Sequence, residues 1–282
     1  MEFKNAVEIM KKSAKMLLTA FGQQIQLSED NNPEDNDRSA QSTTYDFRSL
    51  EIICQGLQQY YPLDGLMGEG LKELAPKLNM KLNNQEILPG KSKKMWVIDP
   101  ICGTVPFSRG IPDFIISVAC VSVDDPLKIL VGIVIDPVHN EIFYAEAGRG
   151  SFLNGQPIKV SNIKSTKELK NRGIISIEHK MIRETEYNNW AIKLSQKVAR
   201  FRTAGTCGLE FCYVASGRLD AVLKARQPLY DYAAGLLILR EAGGIATNFD
   251  GSELIMRLNY QKITDIIASN GKIHQIIIDE RS

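Results

Sequence analysis

The stretch Trp96-Val97-Ile98-Asp99-Pro100-Ile101-Cys102-Gly103-Thr104 joins an apolar strand to an acid, a proline-stiffened turn and a Gly-Thr pair that opens the next segment. A strand that delivers Asp99 to its C-terminal end gathers a carboxylate, a carbonyl, a hydroxyl and backbone N–H groups around one small volume. N–H groups at such a turn suit a phosphate. Read alone, D-P-x-x-G-T is equally a turn that simply ends a strand.

Upstream, Glu69 sits in Met67-Gly68-Glu69-Gly70 at the end of a short apolar stretch. Phe47, Leu50, Cys54, Leu57 and Tyr61 form one helical stripe opened by Asp46, read as its N-cap. Phe3, Val7, Met10, Ala14, Leu17 and Phe21 form an earlier one. Between them the acidic, aperiodic residues 28–41 are expected to be a mobile surface loop. Downstream of Lys94–Asp99, strands are expected at Phe114–Val123, Ile129–Ile135 and Glu141–Glu146, then a turn at Asn154-Gly155. Two helices followed by adjacent strands imply α+β with an antiparallel sheet.

The rhythm then changes. Ile174–Ile177, Leu219–Leu223 and Ile266–Ser269 read as strands. Trp190–Ala199, Thr206–Ser216 and Asp231–Ala242 read as helices, the last ended by Gly243-Gly244, and Asn270 as the cap of a final helix. This alternation implies layered α/β, so the fold class is α/β with an α+β N-terminal half. The polar run Lys159–Lys170 puts the division near residue 158, giving domains 1–158 and 159–282.

The 282 residues are 44% hydrophobic and 24% charged, with 34 basic against 33 acidic side chains and a formal charge of +1. That balance argues against nucleic acid polymers or an acidic membrane as partners. No apolar run approaches the roughly 20 residues of a membrane-spanning helix. The N-terminal sequence lacks the pattern of a cleaved signal, and Cys54, Cys102, Cys120, Cys207 and Cys212 are odd in number without a C-x-x-C, so reduced thiols in a cytoplasmic protein are expected. His139, His179 and His274 have no metal-ligand spacing and read as surface or structural residues.

Further pieces fall in order: Asp136-Pro137-Val138, Gly148-Arg149-Gly150, Gly205-Thr206, Gly217-Arg218-Leu219-Asp220, and Leu229-Tyr230-Asp231-Tyr232-Ala233-Ala234-Gly235. Together with the stretch at Asp99 they resemble the inositol monophosphatase family of metal-dependent, lithium-sensitive phosphatases, through its D-P-[IL]-D-G-T and W-D-x-A-A-G signatures. The resemblance implies a layered αβαβα sandwich, usually a homodimer, and Mg²⁺-dependent hydrolysis of a small phosphorylated polyol, sugar or nucleotide. By motif it assigns the first Mg²⁺ to Glu69, Asp99 and the Ile101 carbonyl, with Asp99 and Asp231 shared with a second ion. Thr104 and Glu69 would orient the attacking water and Asp46 would polarise Thr104. Gly103 and Thr104 would cradle the phosphate, while Gly205, Thr206 and Cys207 would line the alcohol pocket.

Four positions depart from the pattern. Cys102 replaces the second motif aspartate. A thiol, with a reference pKa of about 8.5, is a poor ligand for Mg²⁺. By analogy with a lost oxyanion donor, its presence costs roughly 2.7–4 kcal/mol, or 10²–10³ in rate. Weak Mg²⁺ activity, a softer preference such as Mn²⁺ or Zn²⁺, and a catalytically impaired homologue that binds phosphate ligands or proteins all remain open. Gly70 replaces an acid, and Tyr230 the tryptophan of the last motif. Lys224 stands where inositol-cleaving members carry a glutamate; it reads either as a surface lysine at a strand edge or as a partner for a second phosphate or carboxylate of the substrate.

Overall fold

The computed structural model describes residues 3–27, 42–124, 128–258 and 263–281. Helices α1 (Lys4–Ala20) and α2 (Thr44–Tyr60) precede β1 (Gly65–Gly68), the short α3 (Leu71–Leu74), β2 (Lys94–Cys102) and α4 (Thr104–Ser108). Next come β3 (Ile115–Ser122), β4 (Lys128–Asp136), β5 (Glu141–Glu146), β6 (Ser151–Leu153) and β7 (Gln156–Pro157). The second half runs α5 (Thr166–Arg172), β8 (Ile174–Ile177), α6 (His179–Arg183), α7 (Thr185–Lys197), β9 (Arg200–Arg202) and α8 (Cys207–Ala215). It closes with β10 (Ala221–Pro228), α9 (Leu229–Glu241), β11 (Ile245–Thr247), β12 (Ile263–Ser269) and α10 (His274–Asp279).

The first sheet keeps chain order, β1-β2-β3-β4-β5-β6-β7, and is antiparallel except for the parallel β1–β2 pair. The second has the order β11-β12-β10-β8-β9, with parallel pairing among β10, β8 and β9. Three apolar clusters fill the spaces between layers. Leu17, Leu50, Ile53 and Leu57 of α1 and α2 meet Trp96, Ile98 and Val118 on the outer face of the first sheet. Residues of α8 and α9, among them Phe211, Leu236 and Ile238, pack between the sheets against Val97, Val134 and Ile266. Tyr187 and Trp190 of α7 and Ile277 of α10 cover the far face of the second sheet beside Ile175 and Leu223. The layers are therefore αβαβα, as expected. Each buried Leu, Ile or Phe contributes about 1.5–3 kcal/mol by leaving water, and the central strands of both sheets and the middle helices read as nearly continuous apolar runs for that reason.

Several expected elements move. β2 does not end at Asp99 but runs on to Cys102 through a bulge. Asp99 pairs with Ser117 and Cys102 with Ile115, so Pro100 and Ile101 together face one residue. Proline lacks the N–H that a regular ladder needs, and a bulge absorbs the loss. Helix α7 begins at Thr185 rather than Trp190, because Tyr187 already shares the buried stripe of Trp190, Ala191 and Leu194. β10 extends to Pro228, past the expected Leu223, because it is buried on both faces and shows no alternation. Asn270 is not the cap of α10; its Oδ1 instead accepts the N–H groups of Lys272 (3.0 Å) and Ile273 (3.2 Å) in the preceding turn. The expected loop at 28–41 lies outside the described residues. Among the described residues no helix is long and apolar enough to cross a membrane.

Helix α9 lies directly on β4: a Cβ added to Gly132 would sit 2.4 Å from the Ala234 carbonyl oxygen. Because that obstacle is backbone, Gly132→Val is expected to cost about 1–3 kcal/mol, the usual price of overpacking. Urea denaturation checks this, and an unchanged midpoint would refute the close approach.

Candidate active site

The bulge in β2 sets the first acid in place. In a regular strand Asp99 and Cys102, three positions apart, would point to opposite faces. The extra residue turns both toward the middle helices, on the face that Met95, Val97 and Cys102 share, while Trp96, Ile98 and Ile101 face the outer ones. β1 runs parallel to β2 with Met67 beside Val97 and Gly68 beside Ile98. Glu69 then donates its N–H to Ile98 O at 3.1 Å, so it comes next in line beside Asp99. Asp231 arrives from the first turn of α9.

These carboxylates feel one another. Burial first, then the charges on Glu69 and Asp231, hold the Asp99 carboxyl well above its ordinary value near 3.8, and Asp46 adds to the effect. Asp99 is 1% exposed and its Oδ1 is buried without a hydrogen-bond partner. The Cys102 thiol donates to Asp99, and burial followed by the Asp99 charge pushes that thiol well up. Cys102 is thus a neutral donor beside Asp99. It adds no anionic charge to the place where the motif has an aspartate.

Asp46 holds Thr104. Helix α2 is capped by Thr43, which corrects the reading of Asp46 as the N-cap. Asp46 is instead the third helical residue of a capping box: its Oδ2 accepts from Thr43 N at 2.7 Å and from Thr43 Oγ1 at 2.6 Å. Its other oxygen, Oδ1, accepts the Thr104 hydroxyl at 2.9 Å, and the Ile101 carbonyl is 3.1 Å from the same hydroxyl. Burial outweighs the bonds from Thr43 and Thr104 and leaves the Asp46 carboxyl above its ordinary value. Ser49 of α2 donates to Pro100 O at 2.8 Å, so the helix also grips the bulge itself.

Gly103 has φ +98, and an added Cβ would meet Asp113 O at 2.4 Å and Thr206 Cγ2 at 2.9 Å. Only glycine tolerates both the left-handed backbone and that crowding. The contact brings the buried Thr206, with Cys207 after it at the start of α8, against the turn; Gly205 before it is exposed. The structure therefore gathers Asp46, Glu69, Asp99, Ile101, Cys102, Gly103 and Thr104 around the end of β2, with Asp231 opposite and Thr206 alongside. A separate cavity of about 650 Å³ lined by Tyr187, Arg226, Asp265 and Arg281 shares no lining residue with them.

Lys224 goes elsewhere. It is not a surface lysine: it is 1% exposed, ion-paired with Glu178 Oε2 at 3.0 Å and with Glu210, and it donates to Ala204 O at 3.2 Å. Both partners are protein carboxylates, so its ammonium is already engaged. The residues missed in the sequence are those that hold the expected ones: Thr43, Ser49, Glu178 and Glu210. Thr43-x-x-Asp46 has the spacing of a capping box and was there to be read. Glu178 and Glu210 meet Lys224 across long separations and leave no local signal.

The donor set fits a hard divalent cation. It offers carboxylates and a carbonyl, and a buried carboxylate oxygen with no hydrogen-bond partner, which oxygen-seeking Mg²⁺ suits better than a thiophilic ion. Among the described residues no three His, Cys, Asp or Glu side chains are drawn close enough to form a finished metal cage.

Layers and site together define a two-sheet α/β protein with an acidic nest at a strand bulge. The sequence profile of the Inositol monophosphatase family matches residues 2–282, and the chain belongs to that family. It is 32% identical over 239 residues to the fructose-1,6-bisphosphatase/inositol-1-monophosphatase of Thermotoga maritima, covering 84% of this chain and 80% of that protein. To the Nus factor SuhB of Escherichia coli K12 it is 35% identical over 231 residues, covering 82% and 78%. Among solved structures, the SuhB extragenic suppressor protein of Bartonella henselae superposes with a TM-score of 0.81 at 27% identity, covering 99% of this chain and 97% of that one. The Thermotoga maritima IMPase gives 0.77 at 28% identity, covering 98% and 94%.

The raised pKa of Asp99 has a consequence for stability. The folded state binds this proton more tightly than the unfolded one, so the stabilisation is complete below 3.8 and is lost as pH rises through the folded value. In EDTA at pH 8, Asp99→Asn is expected to melt about 2–4 °C above the natural chain, the shift that follows from about 1 kcal/mol in a domain of this size. The gap should close toward pH 4. Melting curves at both pH values check it; an equal difference at each would contradict the assigned cause.

Proposed function

We propose that the protein is a metal-dependent phosphomonoesterase acting on a small phosphorylated polyol, sugar or nucleotide. One observation carries this: a fully buried aspartate with an unpartnered oxygen, repelled by Glu69 and Asp231, beside a threonine hydroxyl fixed by Asp46. A cluster of like charges is costly to fold unless a ligand needs it.

A divalent cation held by Glu69, Asp99 and the Ile101 carbonyl would lower the pKa of water and offset phosphoryl charge, with Asp231 and Asp99 serving a second one. The chain's own groups do the rest. Because Thr104 spends its proton on Asp46, its oxygen lone pairs face outward to accept a hydrogen from the attacking water. Glu69 accepts the other. The N–H groups of Gly103 and Thr104 point to the phosphoryl oxygens. As the water oxygen bonds to phosphorus the ester P–O bond breaks, and the alkoxide leaves past Thr206 with a proton taken from water. A homodimer in the cytoplasm, with a small phosphate ester as its partner, belongs to this reading.

A second reading has its own support: Cys102 is a neutral thiol where the motif carries a charge, and several relatives are named Nus factor SuhB. In that reading the protein is a catalytically impaired homologue that binds a phosphate ligand or another protein.

Phosphate release from a panel of sugar, polyol and nucleotide phosphates, with Mg²⁺ and with Mn²⁺, separates the two. Cys102→Asp is expected to raise Mg²⁺-dependent turnover by about 10²–10³, the worth of one group stabilising developing charge. Asp99→Asn is expected to abolish turnover. Equal rates for the natural chain and Cys102→Asp would remove the role given to the thiol; no release from either would favour the binding protein.

A further inference from the structure

The buried charges around Lys224 take no part in the chemistry above, yet they reach the rim of the site. Parallel pairing of Leu223 with Ile177 brings the next residue of each strand, Lys224 and Glu178, together beneath α8. Glu210 enters from α8, ion-pairs with Lys224 and accepts the Ser176 hydroxyl. Although burial pushes the other way, Lys224 and His179 pull the Glu178 carboxyl down to about 2, so the pair is ionised. The remaining donor of Lys224 goes to Ala204 O at 3.2 Å. Two residues further on, Thr206 presses its methyl toward Gly103. A cavity of about 30 Å³, enough for one water, lies between these parts and is lined by Asp113, Ala204, Thr206 and Glu210.

We propose that the Lys224–Glu178–Glu210 cluster is a positioning lock: it ties the 203–206 segment at Ala204 to β8, β10 and α8, and so fixes Thr206 against Gly103 on the alcohol side of the site. Lys224 is a positioning residue, not an anion receptor. The lock also leaves no carboxylate at position 224 to accept substrate hydroxyls, so the alcohol half is held by the shape of the rim. Three features make the cluster a lock and not a mere filler. It joins three elements, it is almost wholly buried, and besides the Ser176 hydroxyl and the exposed His179 ring it holds a backbone carbonyl of the site's rim.

In its kinetic half this rests on the phosphatase reading; in its structural half it does not. Removing Lys224 alone would strand two buried carboxylates and endanger folding. The first variant is therefore Lys224→Met/Glu178→Gln/Glu210→Gln, which removes every charge at once. The second is Lys224→Met/Glu210→Gln, which leaves Glu178 its exposed His179 partner; it decides the matter if the first does not fold. Hydrogen–deuterium exchange on the full chain is expected to show the amides of residues 204–206 exchanging about tenfold faster, with β2 and α9 unchanged, as local opening requires. For any ester the natural chain cleaves, KM should rise about tenfold with kcat within about twofold.

Unchanged exchange at 204–206, or an equal rise throughout the chain, would overturn the lock. So would a fall in kcat at constant KM. If no ester is cleaved by any form, the phosphatase reading fails, and exchange alone decides the lock.

Discussion

One extra residue in β2 is the constraint on which the site depends. Without the bulge at Pro100 and Ile101, the alternation of a strand would carry Asp99 and Cys102 to opposite sides of the sheet, and Gly103 and Thr104 would follow the wrong face. With it, the polar end of the strand turns toward α8 and α9, while Ile98 and Ile101 keep the outer helices packed. Proline makes the bulge favourable by withholding a donor, and Ser49 secures it by donating to the Pro100 carbonyl. A packing rule and a chemical arrangement are thus met by the same two residues.

Much of this could be read in advance. The apolar runs gave away both sheets and the middle helices because nearly every position in them is buried, and burial writes itself into composition. Asp99 and Thr104 stood out because each lies near an element end beside proline or glycine, and Asp231 because the run from Leu229 to Gly235 resembles a family motif. What escaped was relational. A bulge is a matter of register between strands, and a single strand does not state its partner. The true start of α7 was hidden because Thr185 to Asn189 hold one apolar residue, Tyr187, whose stripe shows only once α7 is packed on the second sheet. The exposure of Lys224 was misjudged for the same reason: a lysine in an apolar strand looks like an edge residue until two glutamates, 46 and 14 positions earlier in the chain, are folded against it.

The substitution at Cys102 changes the electrostatics more than the shape. It is 7% exposed and packs with Ile115 and Val97, as a small hydrophobe does. Its thiol proton eases the charge on Asp99, which an aspartate in the same place would have increased. The nest is therefore one charge less repulsive than the family motif would make it. A gain in fold stability and a loss of pull on cations follow from the same atom, which is why activity and stability are expected to move in opposite directions when the carboxylate is restored.

Two buried charged clusters lie within one molecule and are handled differently. Around Lys224 the protein supplies its own counter-ions, and the residues serve shape. Around Asp99 it supplies mostly more of the same sign, plus a neutral thiol, and leaves an oxygen without a hydrogen bond. A chain able to neutralise a buried charge in one layer had the means to do so in the next. That it places Glu69, Asp231 and Asp46 near Asp99 instead of a lysine or arginine is the charge pattern on which the proposed cation site rests.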